Sequence, residues 1–383
     1  MSAIASPSSG NNAPHFDLIV VGAGIVGLAH AYTAARRGLR VCVVERDAAC
    51  VGASIRNFGF VTVTGQGAGD TWRRARRSAE VWDVVAPRAG IEVLHRGLYL
   101  SARRPQAQAV LEAFMRTEMG EGCALLTPAE AALRAPVLQL DDARGVLYSP
   151  HDLRVESRTA IGLLARWLAK QHGVVFRFGE AVLEVATPRV RTSRAVLQAE
   201  RVAVCTNTEL HGLFADRLTP HDLRLCQLQM LRVMPEASFK LPGSVMGDLS
   251  LVRYQGYSRL PEAAPLLAQL QREEGESLDH GIHLIVVQSA DGSLVVGDSH
   301  HYGPVLEPFA HERVDTLILR HLRETLRLRE ATVTARWVGT YPSSATHDCL
   351  VERPDDATRV VLVTSGTGAS TAFGIAEEVF QAW

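Results

Sequence analysis

Residues 16–45 constrain the fold more than any other stretch of the chain. Phe16-Asp17-Leu18-Ile19-Val20-Val21 is a short apolar, β-branched run that reads as a buried strand. Gly22-Ala23-Gly24-Ile25-Val26-Gly27 follows at once. Ile25 to Arg37 then has helical composition and stops at Gly38, a natural C-terminal cap. Leu39 to Val44 is a second apolar run, and it ends in Glu45. A strand, G-x-G-x-x-G, a helix, a strand and an acid in that order make a dinucleotide-binding βαβ unit. Gly22 permits the tight turn, Gly24 lets backbone approach a pyrophosphate, and Gly27 lets the helix lie close on the strand. The helix N-terminus, at Ile25 and Val26, then faces the anion. Glu45 lies eighteen positions after Gly27, the spacing of an acid that bonds a ribose hydroxyl. An acid rather than an arginine at Glu45 argues against a 2′-phosphate, hence against NADP. It leaves NAD and FAD both open.

Two later segments separate those cofactors. Arg201-Val202-Ala203-Val204-Cys205-Thr206-Asn207 is a buried strand running into a polar turn, preceded by a helix over Glu156 to His172. Near the end, Arg359 to Thr364 is another buried strand. It runs into Ser365-Gly366-Thr367-Gly368-Ala369-Ser370-Thr371 and an apolar helix to Trp383. A nucleotide domain assembled from both ends of a chain points to FAD. The amides of the last glycine turn would face the flavin pyrimidine and stabilise its negative charge in the reduced state.

Composition removes other classes. With 383 residues and 47% hydrophobic content the chain can build a large core in two or three lobes. A net charge of −1 leaves no electrostatic basis for a nucleic-acid or anionic-membrane partner. Lys170 and Lys240 are the only lysines among 40 basic residues, so Schiff-base chemistry has few candidates. Six cysteines, Cys42, Cys50, Cys123, Cys205, Cys226 and Cys349, lack a C-x-x-C, which fits a reducing cytoplasm better than a disulfide framework or a zinc site. Residues 1–14 are rich in Ser, Ala, Asn and Pro, are expected to be disordered, and lack signal-peptide character. The apolar stretch Leu18 to Ala35 is interrupted by glycines, so no integral membrane segment is expected. Arg73, Arg74, Arg76 and Arg77 fall on a helix whose Trp72, Ala75, Ala79 and Trp82 form a buried stripe, and the arginines read as its solvated face.

With these segments in place, the chain from Phe16 to Trp383 resembles the FAD-dependent D-amino-acid oxidase, glycine oxidase and sarcosine oxidase superfamily. The loop Val51-Gly52-Ala53-Ser54-Ile55-Arg56-Asn57-Phe58-Gly59 is similar to the loop that lies against the isoalloxazine ring there. Asp291 to Gly297 resembles a sheet strand of its substrate domain. Trp337-Val338-Gly339-Thr340-Tyr341-Pro342, followed by Asp348, resembles its W-x-G-x-R-P…D segment. Arg56-Asn57-Phe58-Gly59 with Gly65-Gln66 and Gly69 resembles a narrower group, the FAD oxidoreductases of bacterial aminophosphonate breakdown. That group's substrates are 2-aminoethylphosphonate and its N-methyl derivative. The resemblance implies cofactor contacts at Gly22, Gly24, Ile25, Val26, Gly27, Glu45, Arg46, Ala53, Ser54, Ile55, Arg56, Asn57, Val182, Thr206, Asn207, Gly339, Gly366, Thr367, Gly368, Ser370 and Thr371.

Two departures from the superfamily pattern bear on substrate. Tyr341 stands where amino-acid oxidases carry the arginine that clamps a carboxylate, and Ala369 stands about where some relatives carry another. An anion held elsewhere, or a plain amine, fits better than an ordinary α-amino acid. No cysteine lies between Thr340 and His347, so the resemblance implies non-covalent FAD.

A phosphonate needs arginine, hydroxyl or amide donors. The candidates are Arg56, Asn57, Gln66, Arg253, Tyr254, Tyr257, His300, His301, Arg336 and Tyr341. Each has a structural alternative. Arg56 and Asn57 either contact a ligand or order their loop, and Arg253 to Tyr257 is either site or solvated strand edge. Arg336 is either a ligand or a partner of Trp337. Adjacent residues of a strand face opposite ways, so one of His300 and His301 is expected toward the flavin and a metal site is not. No side chain is assigned as catalytic, because the cofactor carries the hard step.

The expected architecture is α/β: an FAD-binding Rossmann-like domain of the GR2 type over 15–75, 146–226 and 341–383. It interleaves with an α+β substrate domain over 76–145 and 227–340. The latter's mixed or antiparallel sheet includes strands such as Gly97–Ser101, Ile282–Gln288 and Ser293–Asp298. The implied function is oxidative deamination of 2-aminoethylphosphonate or its N-methyl form to phosphonoacetaldehyde, with oxygen or another electron acceptor as second partner. The alternatives are oxidation of glycine, sarcosine, a D-amino acid or a 2-hydroxy acid.

Overall fold

The computed structural model describes residues 14–383, so the expected tail, apart from Pro14, lies outside the described residues. Two sheets organise the chain. The first runs in the order Cys349–Asp355, Thr358–Val363, Val196–Val204, His15–Val21, Val41–Glu45, Val175–Phe178. Its last five strands are parallel, and the first joins antiparallel. The hairpin Val182–Ala186 and Arg189–Thr192 extends it from Val196–Val204.

The opening strand shows why this sheet is buried on both sides. Leu18 and Val20 enter one apolar cluster with the helices, whereas Ile19 and Val21 enter another on the opposite face. Helices Ile25–Ala35, Asp70–Arg88, Ser157–His172 and Gly368–Gln381 contribute Tyr32, Trp82, Leu164 and Phe373 to the first cluster. Gly173, left-handed at φ 66°, ends the third of these helices.

The second sheet is mixed and mostly antiparallel. Its order is His301–Gly303, Arg224–Pro235, Leu294–Gly297, Ile285–Gln288, Ser244–Met246, Val93–Ala102, Gly145–Val155, Phe60–Val61. Ser244–Met246 and Val93–Ala102 form its parallel pair. Ala331–Ser343 pairs along the whole of Arg224–Pro235, which makes that long ribbon the sheet's spine. Residues 60–61 and 146–155 were expected on the nucleotide side; both pair in the second sheet. Phe60 and Leu147 join the cluster under the second sheet, whereas Val61, Leu153 and Val155 join the helix-covered cluster. The chain therefore crosses between sheets inside these strands.

Two local expectations change in three dimensions. Arg253 to Tyr257 is a helical turn rather than a strand edge, with Gln255–Ser258 helical. The arginines of Asp70–Arg88 are more than a solvated face. Arg74 bonds Glu378 and Arg77 bonds Glu377, both on the C-terminal helix, while Arg76 lies over the Trp72 ring. No helix among the described residues is long and apolar enough to cross a membrane.

Candidate active site

The glycine turn after the first strand is built as the motif requires. Gly22 has φ 101°, and a Cβ there would stand 2.7 Å from the Cys205 carbonyl oxygen. A Cβ on Gly27 would stand 2.0 Å from the Gly22 carbonyl oxygen, so helix and turn touch backbone to backbone. Glu45 reaches back from the end of its strand. Its Oε2 accepts the Ala23 amide at 2.8 Å and its Oε1 accepts the Asp47 amide at 3.1 Å. The Ser54 hydroxyl accepts the Ile25 amide at 2.9 Å, which pins the Ala53–Ile55 turn over the helix N-terminus.

From this turn an open cleft of about 1690 Å³, its mouth included, runs between the two sheets. One end is lined by Gly24, Ile25, Val26, Ala53 and Ser54. The middle is lined by Arg56, Asn57, Gly339 and Gly366 to Ser370, and the far end by side chains of the second sheet. Backbone proximity shapes the middle. Gly339 leaves 3.0 Å between a would-be Cβ and the Arg56 carbonyl oxygen, which also accepts the Trp337 indole N–H at 3.0 Å. Gly366, at φ 73°, would bring a Cβ within 3.0 Å of the Tyr341 ring. Ser370 accepts the Thr62 amide at 2.9 Å and ties the last helix to the strand entering the second sheet.

These features fit a dinucleotide at one end and a flavin ring in the middle: a close-approach glycine turn, an acid beside it, and two further turns converging on one cleft. Among the other expected cofactor positions, Asn207 lines the cleft, with φ 52°. Thr206, Val182, Arg46, Ile55 and Thr371 do not line it. Arg46 pairs with Glu209 at 2.7 Å, and Val182 sits in the added hairpin. Ile55 packs into the helix-covered core, and Thr371 donates to the Thr367 carbonyl within its own helix.

The ten expected substrate contacts divide sharply. Arg56, Asn57, Gln66, Arg253, Tyr254, His300 and Tyr341 line the cleft. Asn57 also orders its loop, donating to the Ala53 carbonyl and accepting the Gly59 amide at 2.7 Å, and Arg56 donates to the Val51 carbonyl. Three do not line it. Tyr257 is fully buried, its ring packed on Phe114 and under Gly65. His301 turns away to meet His280, Nε2 to Nδ1 at 3.1 Å. Arg336 binds Asp315 at 2.5 Å on the other side of the sheet. Local pattern could not separate these: His301 and Arg336 depend on which face of the second sheet they occupy, and Tyr257 on how its helical turn packs.

The far end also contains residues that sequence reasoning passed over: His283, Ile285, Asp298 and Tyr302. Asp298, His300 and Tyr302 alternate along the chain, so the period-two rule applied to His300 and His301 would have found them. Arg253 donates to the Tyr302 hydroxyl at 2.7 Å, its guanidinium 5.9 Å from that ring's centroid. It is ion-paired with no carboxylate among the described residues. Burial works to lower its pKa, and Tyr341, Tyr302 and Asp298 raise it further, so the group stays a cation. Burial pushes the Tyr341 hydroxyl well above its ordinary pKa, so it stays a neutral donor. Asp298 is fully buried; burial raises its pKa, but His300, His283 and Arg253 outweigh that and hold the carboxyl below its usual range. Burial pushes His300 down to about 3, so it is neutral.

Comparison with known proteins agrees with this geometry. The structure superimposes on glycine oxidase from Bacillus cereus with a TM-score of 0.75 and 16% identity, covering 96% of both chains. L-proline dehydrogenase from P. horikoshii gives 0.76 and 17%, over 97% of this chain and 94% of that one. L-alpha-glycerophosphate oxidase from Mycoplasma pneumoniae, a structure with FAD bound, gives 0.71 and 15%, over 96% and 95%. At such identities the likeness is one of fold. A search of curated proteins gives no match. Residues 17–382 match the DAO family, described as FAD dependent oxidoreductase, and the chain belongs to that family.

Proposed function

We propose that this FAD-dependent oxidoreductase acts on a small amine whose far end is a phosphonate. The substrate on this reading is 2-aminoethylphosphonate or its N-methyl derivative. One observation carries the reading: Arg253 is a charged guanidinium in the cleft, held by a tyrosine hydroxyl and matched by no carboxylate ion pair. A half-buried cation held by a hydroxyl, with no carboxylate in ion-pair contact among the described residues, is a site for an anion brought by the ligand. Tyr341 and Tyr302 add hydroxyl donors where the superfamily arginine is missing, which suits a tetrahedral, multiply charged head more than a planar carboxylate.

The two-electron oxidation at the carbon bearing the amine is chemistry that FAD supplies when bound. The residues of the chain bind and orient. On this reading Gly22 to Gly27 and Glu45 hold the nucleotide, and Ala53 to Asn57, Gly339 and Gly366 to Ser370 hold the flavin. The first sheet with its helices forms the FAD domain, and the second sheet supplies the substrate wall. Arg253, Tyr302 and Tyr341 fix the anion. Leu228, Ile285 and Phe60 line the wall with apolar surface that limits water around the reacting carbon. Hydrolysis of the resulting imine gives phosphonoacetaldehyde with ammonia, or with methylamine from the N-methyl substrate.

The deciding experiment is anaerobic bleaching of the flavin band by 2-aminoethylphosphonate, its N-methyl form, glycine, sarcosine and D-alanine in parallel. The expected result is bleaching by the two phosphonates. Bleaching by the amino acids alone would refute the phosphonate reading and assign Arg253 to a carboxylate.

A further inference from the structure

His283, Asp298 and His300 form a cluster of buried polar groups at the far end of the cleft. One nitrogen of each histidine and a carboxylate oxygen lie within 4.8 Å of one another, all three residues are buried, and all three line the cleft. His300 donates Nδ1–H to the Gly281 carbonyl at 2.9 Å, so Nε2 presents a lone pair. That Nε2 faces Asp298 Oδ2 at 3.8 Å. Two acceptors therefore face each other across a gap too long for a direct hydrogen bond. On the other side His283 Nε2 stands 3.0 Å from Asp298 Oδ1, but not in hydrogen-bonding alignment, and Oδ1 is a buried acceptor without an aligned donor. A buried acceptor of this kind carries a desolvation cost until a donor arrives.

We propose that this cluster is the receptor for the substrate's amine nitrogen, with Asp298 and His300 Nε2 each accepting one of its N–H groups. His283 is a positioning residue, its ring stacked on His300 with centroids 5.2 Å apart and its Nε2 3.0 Å from Asp298. The proposal rests on the amine-oxidising reading above and deepens it. With its Nδ1–H spent on Gly281, His300 presents only an acceptor, as the carboxylate does, which matches a protonated amine that brings only donors. Two N–H groups held this way fix the direction of the bond to the carbon that is oxidised. Arg253 lies close enough to act electrostatically on both Asp298 and His300. The cleft thus has an anionic acceptor beside a cationic donor, a pattern that matches a short zwitterion rather than a simple anion. The same cation opposes a divalent metal at these three ligands.

The test is a binding measurement on the dithionite-reduced holoenzyme, in which the amine cannot be oxidised. Calorimetry compares 2-aminoethylphosphonate with ethylphosphonate, which lacks the amine. It also includes the N,N,N-trimethyl derivative, which keeps the charge and lacks N–H. Wild-type protein is expected to bind the aminophosphonate at least ~10-fold more tightly than the other two, the size of a charge-assisted hydrogen bond. His300→Gln is expected to erase that preference while changing ethylphosphonate affinity less than about twofold, and Asp298→Asn to erase it while leaving ethylphosphonate affinity equal or higher, because a carboxylate near Arg253 is removed. Equal weakening of all three ligands, or no change, would overturn the proposal. So would a preference for the trimethyl compound in the wild type, a comparison that needs no variant to fold. Stoichiometric zinc or manganese, bound by the wild type and lost in Asp298→Asn, would also overturn it and assign the cluster to a metal. Should the wild type bind neither phosphonate, the phosphonate reading fails by itself. Glycine against acetate then tests the amine receptor in the same way, tighter binding of glycine supporting it and equal binding refuting it.

Discussion

Substituting Gly27 by alanine separates backbone proximity from glycine flexibility as the basis of cofactor binding. The added Cβ would lie 2.0 Å from the Gly22 carbonyl oxygen and 3.2 Å from Val20 Cγ1. Ordinary contact begins near 3.4 Å. The helix must therefore withdraw from the turn by about 1.4 Å, a shift on the scale of overpacking that costs about 1–3 kcal/mol. The same withdrawal pulls the helix N-terminus and the Val26 amide from a pyrophosphate that must sit within hydrogen-bond distance. FAD affinity should drop by roughly 10- to 100-fold, with a smaller loss of stability in the apoprotein. Gly38→Ala and Gly275→Ala are the controls. Gly38 has φ 79° with open space around it, so alanine there costs about 1 kcal/mol of stability without touching FAD affinity. Gly275 opens a short helix in open space at ordinary φ, so alanine should be neutral or stabilising by up to about 1 kcal/mol. FAD titration by flavin fluorescence, with thermal melts of each apoprotein, reads both quantities. Unchanged FAD affinity in Gly27→Ala, or an equal loss in Gly38→Ala, would refute the reasoning.

Three further outcomes are expected. Arg253→Met should weaken ethylphosphonate binding by roughly 100-fold while FAD is retained, a difference that calorimetry on the holoenzyme measures. Tyr257→Phe should leave flavin reduction unchanged and hold or raise the melting temperature. Its hydroxyl is buried without a partner, and a drop in reduction rate would return Tyr257 to the site. Stability should fall as pH drops from about 6.5 toward 4. Burial pushes His30 down to about 4 and His95 down to about 3. The unfolded chain takes up those protons near pH 6.5 and the folded chain does not, so acid favours unfolding across that window. By pH 5 each histidine contributes about 2 kcal/mol to the loss. Urea melts from pH 7.5 to 4.5 check the slope, and His30→Gln should flatten its share.

The first glycine turn and its acid were legible because their signals are local. A tight turn, a helix start and an acid at a set spacing come from residues within one βαβ unit, and backbone sterics there admit few alternatives. The second glycine turn, at Gly366 to Ser370, was legible for the same reason. The arginine run Arg73 to Arg77 shows where local reading stops. Its helix and buried stripe follow from period 3.6, but Glu377 and Glu378 reach it from a helix about three hundred residues away.

The sequence by itself determined the elements, the parallel core around Leu18 to Val21 and the class of cofactor, because short-range sterics and periodicity decide those. Only the tertiary structure decided the far wall of the cleft. The long ribbon of Arg224–Pro235 and Ala331–Ser343 sets which face each side chain meets. Register in that sheet sent Tyr341 toward the cleft and Arg336 to Asp315. Residues from separate strands and loops, Arg253, His283, Asp298 and His300, then met at one end of the cleft. A side chain's neighbours across a sheet are fixed by pairing over large sequence separations, and no local pattern carries that information.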